Sequence, residues 1–423
     1  MTIGLRESHP TEQKMGIRFY ATQKEGVGGR IRLKPSDFIV EEILPDKRIV
    51  EIDNENFSFG PSEPGLVTEF VLIKKNVESH FALMKITEAL GRDIDDIKIS
   101  GTKDKQAYTA QRATIWRVPP EQLMKLDLKG ITIRAPRTTI YQTYLGNLYG
   151  NHFNIKIGMI KGEHNQLKDQ FKNIHQEIID YKGVPNFFGH QRFGTRRPIS
   201  HLVGKELILG NIKKAIRIYL TRIFEDETDI LKKARKTLQE TNDPKEAIDL
   251  FPKSMAFERR ILQHLINNPN DYHGALRIFP YNLMKLFVHA YQSYIWNQTL
   301  SERMTWYEDL GKHKEDIIVN ERVVIPIIGY RSRTPDSKIS DYAEELLKKD
   351  GIKKSYFKCK EIPNLRVGGT YREIAISPNG FSYLFNNSKE NDDFSAKVIF
   401  SLSSGSYATV VLREYMKSSP IHF

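Results

Sequence analysis

The chain has 423 residues and a mass of 49.0 kDa, which predicts two or three domains at about 150 residues per domain. Hydrophobic residues make up 39% and charged residues 27%, so the composition excludes a disordered or fibrous chain. The 64 Lys and Arg outnumber the 52 Asp and Glu, giving a formal charge of +12 and a pI near 9.3. This excess of positive charge favours a polyanionic partner, with nucleic acid as the leading candidate.

The cysteine content and the apolar runs indicate the cellular compartment of the protein. The single cysteine, Cys359, excludes an internal disulfide and a Cys-based metal cluster and predicts a reducing environment. The first 16 residues hold no apolar stretch, and the later apolar runs are far shorter than a membrane span. We therefore expect a soluble, cytoplasmic protein with no membrane partner.

In chain order, the first 180 residues alternate strand and helix patterns. A helix is predicted from Ser79, as its N-cap, to Gly91, which closes it in the left-handed conformation. A second helix has apolar residues at 3.6-residue spacing over 167–181. β-Branched and aromatic residues predict strands at 67–73, 97–100, 108–116, 131–134 and 152–157, with two short strands around Pro35 within 31–43.

Beyond Pro185 helical periodicity dominates to about residue 360. Strand patterns then return at 372–376 and 396–402, before a closing helix at 406–417. The order sheet, helical block, sheet predicts an inserted domain, with a cleft between the two domains that suits a large substrate. The predicted boundaries are 1–184 and 366–423 for the sheet domain and 185–365 for the insertion.

Several common motifs are missing from the sequence. The glycines at 26–29 lack GxGxxG spacing, and Thr102-Lys103-Asp104 has no accompanying GxxxxGK[ST] loop, which excludes a dinucleotide fingerprint and a nucleotide hydrolase. HExxH and CxxC motifs are also missing, so the common zinc sites are not expected. The polar loop 101–106, between two predicted strands, is expected at a sheet edge or cleft and is a candidate site.

Three segments combine long polar side chains, aromatic side chains and turn residues: 101–111, 185–197 and 289–297. In the second segment, aromatic and cationic side chains share a glycine-containing loop that can stack bases and hold phosphates. Core packing of the rings and a solvated face of arginines explain this segment equally well. The residues are Phe187, Phe188 and Phe193 with Arg192, Arg196 and Arg197.

The motifs GxKDKxAxTxQ at 101–111, VPNFFGxQRFG at 184–194 and GSYATxxLRE at 405–414 closely resemble those of the TruD family of tRNA pseudouridine synthases. The resemblance runs over nearly the whole chain. It implies an α+β fold, in which a pseudouridine synthase catalytic domain with an extended mixed β-sheet flanked by helices is interrupted by an inserted, mainly helical domain. It also implies an isomerase that converts uridine 13 of tRNA to pseudouridine with no cofactor or metal.

By the resemblance, the family's catalytic aspartate falls on Asp104, which would otherwise be interpreted as an ordinary turn residue. The reaction breaks the bond from C1′ to N1 and remakes it to C5. A carboxylate can attack C1′, attack C6 or remove a proton from C2′, and the sequence leaves these routes open. The family's basic partner, ahead of the PxDF motif, falls on Arg32, with Lys34 as the alternative; a cation there orients the carboxylate.

The resemblance also implies residues that contact RNA. Phe38, Asn151 and Phe153 match PxDF and NxF, where rings can sandwich the extracted uracil and the amide can contact its edge. Tyr407 stands where other members have Phe, adding a hydroxyl that can contact Asp104 or the ribose. Core packing also explains the phenylalanines. Further predicted RNA contacts are Lys103, Lys105, Phe188, Gln191, Arg192, Arg196 and Arg197, with Lys182, Lys213 and Lys214 as additional phosphate contacts.

Two alternatives to this tRNA-modifying isomerase stay open. One is a non-catalytic RNA-binding or RNA-chaperone protein that keeps the same fold but has no turnover, although the intact Asp104 argues against it. The other is an enzyme with the same chemistry that modifies other tRNA positions or other RNAs. A panel of RNA substrates separates these possibilities.

Overall fold

The computed structural model describes residues 4–387 and 394–423. The strands are β1 (Phe38–Ile43), β2 (Val67–Lys75), β3 (Ile97–Ile99), β4 (Tyr108–Trp116), β5 (Ile131–Thr139), β6 (Gly150–Ile160), β7 (Val184–Pro185), β8 (Ile317–Val319), β9 (Arg322–Ile327), β10 (Thr370–Glu373), β11 (Ala375–Ile376), β12 (Asn379–Asn387) and β13 (Phe394–Ser403). The helices are α1 (Pro10–Gln13), α2 (Ser79–Leu90), α3 (Pro120–Leu123), α4 (His164–Asp180), α5 (Ser200–Leu209), α6 (Ile212–Thr221), α7 (Asp229–Thr241), α8 (Pro244–Ile248), α9 (Ala256–Asn267), α10 (Tyr272–Leu276), α11 (Tyr281–Met304), α12 (Lys338–Lys349) and α13 (Ala408–Met416).

One compact unit comprises Lys24–His175, Ile376–Ser418 and His422–Phe423. Its sheet has the strand order β12-β13-β6-β1-β4-β2-β5, with β3 also paired to β4. Strands β1 and β4 run parallel, and the other neighbours run antiparallel. The mixed sheet flanked by helices that the resemblance implies is therefore confirmed.

Helices pack against this sheet in two separate regions. On β2 and β4, the apolar side of α2 packs against residues such as Phe70 and Ile115. At β12 and β13, the ring of Phe171 in α4 stacks on Tyr415 of α13 at 4.4 Å, and Phe381 lies between Tyr415 and Phe400. Strands β1 and β6 lie between these two packed regions.

The other compact unit comprises the chain up to Gln23, Gln176–Ala375 and Ser419–Ile421. Its hydrophobic core is built mainly from helices, with α5 lying directly against α11. Gly204 permits this close approach, because a Cβ at this position would lie 1.9 Å from the carbonyl oxygen of Phe287. Strands β8, β9 and β10 form a small antiparallel sheet in the same unit.

The two compact units are defined by contacts, whereas the predicted domains are defined by the sequence pattern and the resemblance. Contacts within each unit divide the sequence after Gln23, His175 and Ala375, so the N-terminal segment groups with the helical unit. The organisation into 1–184, 185–365 and 366–423 stays a prediction. Among the helices of the described residues, none has the length and apolar character that crossing a membrane requires.

Two local predictions are wrong. Residues 31–37 do not form a strand, because Arg32 has a left-handed backbone with φ of 59° and residues 35–37 form a 3₁₀ turn that begins with proline. Ser79 is the first residue of α2 and not its N-cap; the carboxylate of Glu78 accepts the capping hydrogen bond from the Phe81 N–H at 2.8 Å. The predicted closure at Gly91 is confirmed by its φ of 63°.

Candidate active site

Residues 100–107 form the loop between β3 and β4, and three side-chain groups of the sheet unit hold its backbone. The Ser79 hydroxyl bonds both backbone groups of Lys103, accepting from the N–H and donating to the carbonyl, each at 3.0 Å. The Lys74 ammonium donates to the carbonyls of Lys103 at 3.1 Å and of Asp104 at 2.8 Å. Gln111 donates to the carbonyl of Gly101 at 3.1 Å. The loop backbone is therefore held while the Asp104 side chain stays 44% exposed.

Asp104 forms an ion pair with Arg32. The Arg32 Nη2 lies 2.7 Å from the Asp104 Oδ2, and the guanidinium lies 4.0 Å from the centre of the Phe38 ring. Burial lowers the pKa of Arg32, and the interaction with Asp104 partly offsets that effect. An arginine stays charged in proteins, so Arg32 provides a fixed cation beside an exposed carboxylate. At Lys34, the alternative basic partner, the backbone N–H donates to the Asp37 carboxylate at 3.0 Å.

The parallel pairing of β1 with β4 brings these two residues together. Ile39 pairs with Tyr108, so both strands begin at the same sheet edge. Arg32 precedes β1 and Asp104 precedes β4, which places both side chains at this edge although 72 residues separate them. The left-handed φ of Arg32 costs about 1–3 kcal/mol, which its ion pair and ring contact help to offset.

Lys103 is buried and faces inward. Its ammonium lies 3.1 Å from the Glu42 carboxylate, and the two side chains are 4% and 0% exposed. Glu42 also accepts from the backbone N–H of Arg112 at 3.4 Å. The predicted RNA contact of Lys103 thus has no support in this geometry, whereas Lys105 and Gln106 are exposed on the same loop.

Strand register places further predicted residues on the sheet face under the loop. Asn151 pairs with Glu42, and Phe153 pairs with Val40, so their side chains share one face. Phe153 and Phe38 are buried, with ring centres 6.3 Å apart. The Asn151 Oδ1 is buried and has no hydrogen-bond partner among the described residues.

Tyr407 lies at the N-cap position of α13, just after the turn that follows β13. Ser403 at the end of β13 pairs with Gly150 at the start of β6, which is next to Asn151. This register places Tyr407 at the sheet edge from which β6 begins. Its contact with Asp104 or the ribose stays a prediction.

The predicted RNA contacts at 188–197 belong to the helical unit. Phe188 is buried against Trp296, with ring centres 5.5 Å apart, and Arg192 lies 5.6 Å from the Phe188 ring. Gln191 and Arg196 are exposed. Arg197 is enclosed by Glu227 and Glu258 at 3.5 Å and 3.8 Å, and burial lowers its pKa to about 10. The positive charge of Arg197 is therefore paired with carboxylates of the protein itself.

The other predicted phosphate contacts also lie in the helical unit. Lys182 pairs with Asp309 at 2.7 Å and Lys214 with Glu206 at 2.9 Å, while both lysine side chains stay more than half exposed. Lys213 and Lys214 line a groove of about 750 Å³ with Arg217 and His273. The roles predicted for all these residues stay predictions.

Sequence reasoning missed the residues that hold the loop: Glu42, Lys74 and Ser79. The sequence held one signal, because Lys74 directly follows the apolar run 70–73 of β2. The structure shows that Lys74 is itself fully buried. A lysine is almost never fully buried unless its charge is paired or hydrogen-bonded. No cluster of three or more His, Cys, Asp or Glu placed to hold a metal ion occurs in residues 4–387 and 394–423.

Comparison with known proteins identifies the family of the chain. The family model described as tRNA pseudouridine synthase D (TruD) matches residues 14–323 and 320–415. A protein named "Probable tRNA pseudouridine synthase D" from Methanosarcina acetivorans is 32% identical, covering 97% of each chain. One of the same name from Archaeoglobus fulgidus is 33% identical, covering 96% of this chain and 99% of that one. A crystal structure of the tRNA pseudouridine synthase D (TruD) candidate from Methanosarcina mazei superposes with a TM-score of 0.78 at 30% identity, over 99% of this chain and 100% of that one. The chain belongs to the TruD family.

Proposed function

We propose that this protein is a tRNA pseudouridine synthase that isomerises uridine 13 of tRNA, with Asp104 as the essential carboxylate. The observation that carries the proposal is the ion pair of Asp104 with Arg32, in a loop whose backbone is held by Lys74 and Ser79. Family membership supports the reaction class. A tRNA substrate also favours a cytoplasmic location.

The site chemistry suits an isomerisation within one nucleotide. The C1′–N1 bond breaks, the base turns while held, and a C1′–C5 bond forms as C5 loses its hydrogen as a proton and N1 gains a proton. Asp104 is exposed enough to reach the nucleotide, and Arg32 orients its carboxylate. Attack at C1′, attack at C6 and removal of the C2′ proton all use this one carboxylate.

Access to the target requires RNA distortion. Uridine 13 must leave its stack, which costs a few kcal/mol that contacts elsewhere on the RNA must offset. The formal charge of +12 favours binding of the phosphate backbone, and Arg196 and Lys213 are exposed cations that can contribute. The unpartnered Asn151 Oδ1 can accept from the N3–H of uracil.

The test measures tritium release from C5-labelled uridine in a tRNA transcript. Wild-type protein is expected to release tritium, and Asp104→Asn, which keeps the size of the side chain but removes its charge, is expected to release none above background. Gln106→Ala is the matched control, since it changes an exposed residue of the same loop that is not among the predicted RNA contacts. A transcript with cytidine at position 13 tests the target position.

The possible outcomes separate the alternatives. Tight tRNA binding without release by wild-type protein would establish the non-catalytic RNA-binding protein. Release by Asp104→Asn would exclude Asp104 as the essential group. Undiminished release from the transcript with cytidine 13 would show another target position, consistent with the same chemistry on other RNAs.

A further inference from the structure

The segment 140–149, between β5 and β6, has an inverted pattern of exposure. Its polar residues face the protein: Thr143 is buried and hydrogen-bonds to Ser100 at 3.0 Å, and Gln142 donates to the carbonyl of Asp96 at 3.0 Å. Its large apolar side chains face solvent, with Tyr141, Tyr144 and Leu145 exposed by 75%, 66% and 79%. Hydrophobic burial favours the opposite arrangement, so folding alone does not account for this surface.

Neighbouring strands extend the exposed apolar surface. Val67 pairs with both Trp116 and Thr139, so the ends of β4 and β5 lie beside the start of β2. Trp116 and Ile140 at these ends are exposed as well. We call Trp116, Ile140, Tyr141, Tyr144, Leu145 and Tyr149 the aromatic platform. Cations accompany its rings, since Arg117 lies 5.6 Å from the Trp116 ring and Lys47 lies 5.5 Å from the Tyr149 ring.

The segment 140–149, which carries most of the aromatic platform, is hydrogen-bonded to the start of the loop that carries Asp104. The Gly146 N–H donates to the carbonyl of Ser100 at 2.7 Å, and Ser100 begins the loop that carries Asp104. Four residues of chain span at most about 14 Å. Ser100, to which Gly146 is hydrogen-bonded, therefore lies within about 14 Å of the Asp104 backbone.

We propose that the aromatic platform binds bases of the RNA substrate by stacking, beside the uridine held at Asp104. The inference rests on the proposed function. Exposed tyrosine and tryptophan rings bind bases of any sequence through their π faces, and interleaved cations contact the phosphates. The formal charge of +12 matches a polyanionic occupant better than a second copy of this equally basic chain. Bases that leave their stacks near uridine 13 would find an apolar surface there.

The test compares Tyr141→Ala/Tyr144→Ala with Tyr141→Phe/Tyr144→Phe. Loss of both rings is expected to weaken binding of a tRNA transcript at least about tenfold, because each stacked base contributes substantially to affinity. The Phe variant keeps both rings and is expected to bind like wild-type protein. The slope of log affinity against log salt is expected to stay unchanged in both variants, since no phosphate contact is removed.

The outcomes distinguish this inference from the proposed function. If wild-type protein releases tritium and the Ala variant binds tRNA with unchanged affinity, the stacking inference is wrong while the proposed function stands. If wild-type protein modifies no tRNA, the proposed function fails independently of the variants. Conversion of a dimer to a monomer by the Ala variant, with unchanged tRNA affinity, would assign the platform to self-association and overturn the inference. Should the double variant unfold, Tyr144→Ala alone serves the same comparison.

Discussion

Lys74 is the residue on which the geometry of Asp104 most depends. Its ammonium donates three hydrogen bonds to backbone carbonyls, those of Val77 at 3.0 Å, Lys103 at 3.1 Å and Asp104 at 2.8 Å. Desolvation is the main cause that lowers its pKa to about 8, although Asp104 and Glu78 act in the opposite direction. An ammonium group has three N–H donors and a neutral amine has two, so protonation decides whether Lys74 can make all three hydrogen bonds at once.

Replacement of Lys74 by methionine is expected to lower single-turnover modification at least about tenfold. The carbonyls of Val77 and Asp104 lose this donor, at a cost of about 1–3 kcal/mol for each, whereas the carbonyl of Lys103 keeps its hydrogen bond from Ser79. Lys75→Met is the control, because Lys75 is the exposed neighbour on the same strand. Equal turnover in the two variants, measured with both proteins folded, would contradict this role.

The pH dependence provides an independent prediction for Lys74. Its pKa is about 8 in the folded protein against 10.5 ordinarily, so the unfolded chain binds more protons between these values. Lys74 therefore makes the folded state relatively more stable as pH rises from 8 to 10.5, while the loss of its third donor lowers turnover over the same range. Thermal midpoints and single-turnover rates measured from pH 6 to 10 check both trends, which Lys74→Met should remove.

At the scale of elements, the loop is fastened to a strand and to a helix. The buried Lys103–Glu42 pair fastens it to β1, and Ser79 fastens it to the first turn of α2. Glu78 caps that helix, which leaves the Ser79 hydroxyl free to bond the loop. Helix α2 and strand β1 are thus parts of the site as well as parts of the fold.

Removal of one partner of the buried pair is expected to cost much more than removal of both. Lys103→Met leaves the Glu42 charge buried without its partner, which costs about 3–5 kcal/mol of folding stability. The double variant Glu42→Gln/Lys103→Met should recover most of that loss. Urea denaturation of the two variants measures the difference, and equal losses would show that the charges do not interact.

At the scale of the whole molecule, the 64 Lys and Arg divide into cations that face solvent and cations that are paired inside the fold. Neighbouring arginines illustrate the division. Arg196 is exposed, whereas the Arg197 side chain is 15% exposed and lies between Glu227 and Glu258. The count of 64 Lys and Arg therefore overestimates the number of cations available to RNA.

This division predicts different behaviour of two single variants. Arg196→Ala is expected to weaken tRNA binding and to reduce the slope of log affinity against log salt by about 0.7–0.9, the value for one phosphate contact. Arg197→Ala is expected to lower the thermal midpoint and leave that slope unchanged, because it breaks an internal charge cluster. A lower slope for Arg197→Ala, with no change in the thermal midpoint, would reverse the assignment.

Local patterns predicted most of the elements. The strand at 108–116 is confirmed to the residue, and the closure of α2 at Gly91 is confirmed, because alternation and a left-handed glycine are short-range properties. The strand predicted before Pro35 is wrong. Apolar and polar residues alternate there as they do in a strand. Arg32, which pairs with Asp104, nevertheless has a left-handed backbone that a strand cannot have.

By itself the sequence determined the family, and it predicted the site loop and Asp104, since these residues lie in contiguous motifs. Only the tertiary structure decided that Arg32 pairs with Asp104, that Lys74 and Ser79 hold the loop, and that Lys103 points inward. It also decided that the segment 140–149 buries Thr143 and exposes Tyr144. These contacts join residues far apart in the chain, and their free energies depend on burial, which appears only when the strands are assembled.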